Sequence, residues 1–408
     1  MSWKKLSQKE IKTHVFTALD KNKNYTEEMV LGIPASYLDP KVFRPDDKLL
    51  QYAPFLSTMV QNPNHIGCHT LESSESFFQG TQEIERETIA ICAEDILKAE
   101  PGEYDGYIAS GGTEANIQAI WIYRNLYMQE YGASPNEIMI LCSEHSHYSM
   151  DKAANLLGIG IRKVKINDQF VQDLQSVEET LDLALSEGVK YIIVVSNMMT
   201  TMFGSVDDPE IYVKALGERN LPFRMHVDGA YGGFYYPFSN KAYKLNFETH
   251  YISSVTLDAH KMAQAPYGTG IFIARKGLIG YAQTKEASYV EGQDSTLIGS
   301  RSGANAIAVW MILSTYGKYG WIEKIFILQK RADWFCEQLR KIKIPFYRNE
   351  YSNIVTMHAD TLTPEIAENY GLVPDDHHAP KWYKVVIMDH VEVEKLEALI
   401  EDIKLIEK

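Results

Sequence analysis

The sequence predicts an α/β protein: a mostly parallel sheet covered by helices on both faces, followed by a smaller α+β lobe. Three observations carry this. Seven short apolar runs, GYIAS, EIMILCS, IRKVKI, YIIVVSN, FRMHVD, ISSVTLD and GIFIARK, have the length and β-branched content of buried strands. Helical or polar stretches separate most of them, the alternation that builds a parallel sheet with helices on its faces. After about residue 305 the pattern becomes one long helix through AIAVWMILSTYGKYGWIEKIFILQKRADWFCEQLRKI, and only YSNIVTMHA and YKVVIMDH then read as strands.

In chain order, residues 1–60 read as a polar helix followed by the proline-punctuated arm LGIPASYLDPKVFRPDD. Residues 61–305 hold the seven strand runs and form the large α/β domain. Residues 306–408 supply the long helix and a small C-terminal α+β domain. No repeat, low-complexity tract or long linker interrupts this order. With 408 residues the chain can bury a large core in more than one lobe.

Composition narrows the class of function. The chain is 45% hydrophobic and 23% charged, as in an ordinary globular protein, and its net charge of −14 is spread among interspersed acids and bases. Such a surface disfavours nucleic acid and anionic membranes. No apolar run approaches the ~20 residues that cross a bilayer, and MSWKKLSQKEIKTHVF has early lysines without a following apolar stretch, so a cytoplasmic protein is expected. Four scattered cysteines, Cys68, Cys92, Cys142 and Cys336, form no CxxC pair and read as buried thiols of a reducing compartment.

The chemically suggestive residues fall where strands end, the place where open α/β sheets bind ligands. Lys261, in SVTLDAHKMAQAPYGTG, follows one apolar run and precedes another. Shielding from water disfavours its ammonium and favours an amine able to form a Schiff base with an aldehyde; the alternative is a lysine snorkelling from a strand end. Asp228 in HVDGAYGG is a carboxylate able to pair with a protonated pyridine nitrogen, or else an N-cap. IASGGTEANIQAI is a strand, a glycine pair and a helix opening, with Thr113 as the expected N-cap and free amides suited to phosphate. It is not GxGxxG. His145 and His147 lie on the turn of CSEHSHYS; a neutral imidazole there can stack on a pyridine ring, whereas a metal site lacks a complementary ligand set.

Taken in order, SGGTEAN, SEHSHYS, the TT of NMMTTMFGSVDD, HVDGAY and DAHK resemble the group II pyridoxal-5′-phosphate (PLP) dependent decarboxylases of the aspartate-aminotransferase fold, fold type I. The resemblance covers roughly residues 60–320 and is strongest to short archaeal tyrosine/aspartate decarboxylases, then to sphingosine-phosphate lyases. It implies a seven-stranded sheet and PLP held on Lys261, with His260 as a hydrogen-bonding neighbour. It further implies Asp228 on the pyridine nitrogen, Ala230 on one ring face and His147, rather than His145, on the other. Thr201 matches a threonine near the ring, and Gly112 and Thr113 match the phosphate turn. Asp258 stands where animal-type members carry asparagine, and an aspartate beside phosphate is repulsive unless a donor intervenes.

The activity implied is decarboxylation of an L-amino acid to its amine and CO2. Tyr289, in KEASYVEGQDSTLIGSRSG, matches the loop tyrosine that protonates Cα. His65 and His69 in QNPNHIGCHT are offered as substrate partners, and Arg301 as a receptor for an anionic group or as a structural arginine binding backbone carbonyls. These three tilt the expectation mildly toward an acidic substrate over an aromatic one. The alternative is an aldehyde lyase acting on a phosphorylated amino alcohol. The fold also implies a homodimer with its site at the interface.

Overall fold

The computed structural model describes residues 29, 31–32, 39, 41–42, 79–283 and 294–406, and in it the seven apolar runs are seven strands of one sheet. They are β1 (Tyr104–Ala109), β2 (Ile138–Ser143), β3 (Gly160–Val164), β4 (Tyr191–Asn197), β5 (Phe223–Gly229), β6 (Ile252–Asp258) and β7 (Gly270–Arg275). Their spatial order is β1-β7-β6-β5-β4-β2-β3. Pairing is parallel from β6 through β5, β4 and β2 to β3, while β7 runs antiparallel to both neighbours. Connection length explains the exception. Only residues 259–269 separate β6 from β7, too few for a crossover helix, so the chain must turn back on itself.

Helices cover both faces: α1 (Gln79–Ala90), which runs on as a π-helical turn over Ile91–Ile96, α2 (Gly112–Tyr131), α3 (Ser149–Leu157), α4 (Leu174–Ser186) and α5 (Pro209–Glu218). The strands show period-two burial onto two separate cores. In β2, Met139 and Leu141 face one core and Ile138, Ile140 and Cys142 the other; in β4, Ile192 and Val194 are opposed to Ile193 and Val195 in the same way. The second core is built around α2, a helix buried without a break from Glu114 to Ile120. A helix so enclosed would ordinarily be apolar throughout. This one also buries Glu114, Asn116 and Gln118.

The long helix α6 spans Gly303–Lys341 and is interrupted at Gly317, whose φ of 58° is non-helical. The sequence pattern reads through this glycine, but a residue without Cβ adopts that conformation at little steric cost, and the helix bends there. Trp321, Ile325 and Leu328 pack on the large-domain core, whereas Ala332, Phe335, Cys336 and Leu339 enter the small-domain core. Helix α6 therefore ties the two cores together. The small domain adds β8 (Phe346–Tyr347), β9 (Ile354–His358), α7 (Pro364–Asn369), β10 (Val373–Pro374), β11 (Trp382–Val386) and α8 (Val393–Ile406), its antiparallel sheet ordered β10-β11-β9-β8. Little of the N-terminal arm lies within the described residues. Leu31 bridges Tyr370 and Val386 through its backbone, and Asp39 meets the buried ammonium of Lys324 at 3.3 Å. No helix of the described residues is long and apolar enough to cross a membrane.

Candidate active site

The carboxyl ends of β1, β4, β5 and β6 and the turn after β2 converge on a cavity of about 320 Å³. Its lining includes Gly111, Gly112 and Thr113 after β1, His147 after β2, Thr200 and Thr201 after β4, Asp228 and Ala230 at β5, and Asp258, His260 and Lys261 at β6. His145 is not part of the lining. Its ring stacks on Phe203 at 4.7 Å and 17°, inside an aromatic cluster with Phe170, Tyr347 and Trp382. Two predicted substrate residues, His65 and His69, and the predicted proton donor Tyr289 lie outside the described residues.

The turn at the head of α2 differs in detail from expectation. Thr113 is not the N-cap; Gly111 is, and the helix begins at Gly112. No side chain caps this end of the helix; the Glu114 carboxylate instead reaches back past the N-cap and accepts from the Ser110 amide at 2.6 Å. The turn also lies hard against β7, since a Cβ built on Gly270 would overlap the backbone of Gly111. This close approach requires glycine and sets the cradle at the sheet edge.

Asp258 is the buried centre of the β6 end. Its carboxylate lies 2.7 Å from His260 Nδ1 and 3.8 Å from Lys261 Nζ, and it accepts from the Gly112 amide at 3.2 Å. The repulsion expected between this aspartate and a phosphate is offset by one donor, the Gly112 amide, and by the nearby Lys261 ammonium. Gly112 consequently spends its amide on Asp258. Lys261 keeps 27% of its side chain exposed, a shielding only partial compared with the sequence expectation.

Asp228 is buried, with one carboxylate oxygen accepting from the Ala230 amide at 3.1 Å and the other from Asn116 Nδ2 at 2.9 Å. His147 Nδ1 lies 3.2 Å from the Ser149 amide and 2.9 Å from its hydroxyl. A backbone amide can only donate, so Nδ1 is the acceptor and the ring proton of the neutral imidazole is on Nε2. Burial pushes the His147 pKa below its ordinary value, with the Asp228 carboxylate pulling the other way.

Arg301 points elsewhere. Its guanidinium pairs with buried Glu85, donates to the Ile108 carbonyl at 3.1 Å and covers the Tyr107 ring at 4.9 Å. It is absent from the cavity lining, and its contacts are those of the structural arginine considered above. Burial raises the thiol pKa values of Cys92, Cys142 and Cys336, which disfavours the nucleophilic thiolate. Among the described residues no group of three or more His, Cys, Asp and Glu is placed to hold a metal.

Two residues of consequence escaped sequence reasoning. Asn116 sits within SGGTEAN, and its signal was a polar side chain in an otherwise apolar helical stretch. Lys384 gave no signal, because the small sheet brings it from far along the chain. It is buried on β11 and donates to the Thr201 carbonyl at 2.9 Å. Burial, and then the nearby Lys261 ammonium, lowers its pKa to about 8.

This donor set fits PLP: an amine, a buried carboxylate ready to accept a proton-bearing ring nitrogen, a neutral imidazole on the cavity wall, and a glycine turn at a helix start. Comparison with known proteins agrees. The pyridoxal-dependent decarboxylase conserved domain matches residues 39–369. Tryptophan decarboxylase of Clostridium sporogenes is 48% identical over 411 residues, covering 100% of this chain and 98% of that protein. L-aspartate decarboxylase of Thermococcus kodakarensis is 32% identical, covering 81% of this chain and 83% of that protein. Among solved structures, the sphingosine-1-phosphate lyase of Burkholderia pseudomallei superposes with a TM-score of 0.79 at 16% identity, over 99% of this chain and 92% of its own; that likeness speaks for the fold alone. The site and these relatives together make the chain a member of the pyridoxal-dependent decarboxylase family, a PLP-dependent amino-acid decarboxylase of fold type I.

Proposed function

We propose that this enzyme decarboxylates an aromatic L-amino acid, tryptophan before others, to the amine and CO2. The observation that carries this is the 48% identity, end to end, with a tryptophan decarboxylase. The mild preference for an acidic substrate is withdrawn. Arg301, on which it partly rested, is committed to Glu85 and the backbone. A ring stands at the cavity instead: Tyr148 lines it, is exposed and lies 4.1 Å from the His147 ring, while exposed Tyr267, outside the lining, lies 4.7 Å from the His260 ring.

Bound PLP supplies a cationic pyridine ring, conjugated with the substrate amine, that draws off the electrons of the breaking bond. The protein's part is holding, orienting and moving protons. Lys261 would hold the cofactor by its amine. Asp228 accepts from the pyridine N–H and so keeps the ring cationic. His147 and Ala230 bound the ring, and His147 presents a fixed Nε2–H to the cavity. The α2 turn cradles the phosphate at Thr113, while the Gly112 amide stays on Asp258 and His260 stands beside that carboxylate. Thr201 stands near the ring. Lys384, held on the Thr201 carbonyl outside the lining, is the cation assigned to the substrate carboxylate, which it reaches by leaving that carbonyl. Tyr289 protonates Cα of the product. A homodimer with its site at the interface is in keeping with exposed Tyr148, Leu297 and Ile298.

The test is CO2 release and amine formation by the PLP-loaded enzyme, across a panel of L-amino acids and a phosphorylated amino alcohol. Stoichiometric CO2 and amine from tryptophan, above aspartate and glutamate, support the reading. Turnover of acidic amino acids alone overturns the substrate, and aldehyde from the amino alcohol without CO2 overturns the reaction.

A further inference from the structure

Behind Asp228 lies a buried row of polar side chains drawn from α2, β5 and β6. Tyr123 OH is 2.5 Å from Ser254 Oγ, which is 2.7 Å from His226 Nδ1. His226 Nε2 is 3.0 Å from Asn116 Oδ1, and Asn116 Nδ2 is 2.9 Å from Asp228 Oδ2. Tyr123, Ser254 and His226 are fully buried and Asn116 is 1% exposed. Polar groups so enclosed are retained at a cost unless each is satisfied.

The direction of every hydrogen bond in the row follows from its end. An ionised Asp228 only accepts, so Asn116 turns its Nδ2 toward it and its Oδ1 toward His226. That oxygen needs an N–H at His226 Nε2. Burial lowers the His226 pKa to about 4, so the ring is neutral and its Nδ1 accepts from the Ser254 hydroxyl. The Ser254 oxygen in turn accepts from Tyr123. All four donors point the same way, toward the carboxylate, the arrangement in which successive hydrogen bonds polarise one another. Thr256 Oγ1, 3.2 Å from Nε2, is a second neighbour of the same ring nitrogen.

Asn116 has a second N–H, and it goes to Ser149 Oγ at 3.0 Å. Ser149 is the residue that fixes the tautomer of His147. One amide group therefore touches both the carboxylate assigned to the ring nitrogen and the serine behind the cavity-wall imidazole.

We infer that Asn116 is a positioning residue that holds Asp228 as an anion and His147 as its Nε2–H tautomer, with Tyr123, Ser254 and His226 as the buried row that fixes the amide's orientation. The inference rests on Asp228 serving the pyridine nitrogen and adds a control that no catalytic group performs alone. The anion at the heart of the site is sustained by oriented neutral donors, with no buried cation beside it in the row.

The experiment loads the full-length protein with PLP labelled with 15N in its ring and records the nitrogen chemical shift, the apparent PLP affinity and the melting temperature. The variants are Asn116→Leu, His226→Leu, His226→Gln and Asp228→Ala. Both leucine variants should move the nitrogen resonance toward the unprotonated position and weaken PLP binding about tenfold, the scale of one hydrogen bond to a charged group. His226→Gln, which keeps an N–H at the Nε2 position, should recover most of both. If the leucine variants melt earlier yet leave the resonance and the affinity at wild-type values, the row is only structural and the inference fails. If Asp228→Ala also leaves the resonance unmoved, it is the assignment of Asp228 itself that fails.

Discussion

Lys384, carried by the small-domain sheet, donates its ammonium to the carbonyl of Thr201, 2.9 Å away in the loop that follows β4. The contact ties a residue of one domain to a loop that lines the cavity built by the other, and puts two lysines, Lys384 and Lys261, close enough to repel. Depressed first by burial and then, in the cofactor-free protein, by that repulsion, Lys384 is charged below about pH 8 and neutral above it.

If Lys384 receives the substrate carboxylate, Lys384→Met should raise KM roughly tenfold or more, the worth of a charge-assisted hydrogen bond, with a smaller change in kcat. In the wild type KM should climb as pH passes from about 7 to about 9. Lys384→Arg, whose guanidinium stays charged, should flatten that climb. Identical pH profiles for the arginine variant and the wild type would remove Lys384 from substrate binding.

Lys261→Ala should abolish the visible absorbance of PLP joined to the protein and leave no cofactor attached after borohydride reduction. A reducible band of wild-type strength would refute the assignment of Lys261 as the Schiff-base lysine.

The Arg301–Glu85 pair is a structural lock, its two side chains 5% and 0% exposed. Removing one partner strands a buried charge, so Glu85→Ala should destabilise the protein by about 3–5 kcal/mol. Urea denaturation followed by circular dichroism measures this. Arg301→Ala should also lower stability, and its folded fraction should keep an unaltered KM. A selective rise in KM for an anionic substrate would return Arg301 to the site.

Asp207, buried and accepting from the Asn197 amide and side chain, both at 2.8 Å, has its pKa raised by burial from 3.8 to about 7. The folded state thus binds the proton more tightly than the unfolded one. The stability this contributes is whole below the unfolded value and is lost as pH rises through about 7. Asp207→Asn, which does not titrate, should gain on the wild type between about pH 5 and pH 8, by roughly 3 kcal/mol. Urea midpoints at the two pH values report it, and a difference that does not change with pH would sink the explanation.

Most of the seven strand runs were legible because a strand covered on both faces is largely apolar, which leaves a contiguous mark; the edge strand β3, with Lys163 exposed, carries less of it. The residues at their ends, Asp228, His147 and Lys261, were legible for a related reason: short motifs place them directly after those marks. The antiparallel course of β7 was implicit in the short link through Lys261. By contrast, the break at Gly317 was hidden in a sequence that continues its helical pattern on either side. The N-cap of α2 at Gly111 rather than Thr113 turned on where the chain enters the helix, a matter of backbone path.

By itself, then, the sequence determined the elements, their order and the residues that end them, since these depend on local periodicity and on motifs of a few positions. Only the tertiary structure decided what each polar side chain faces. It sent Arg301 to Glu85, brought Lys384 to Thr201 across the chain, and lined up Tyr123, Ser254, His226 and Asn116 behind Asp228. Those partners lie tens to hundreds of residues apart. A buried hydrogen bond is fixed by distance and direction in the packed core, which no local pattern of residue types records.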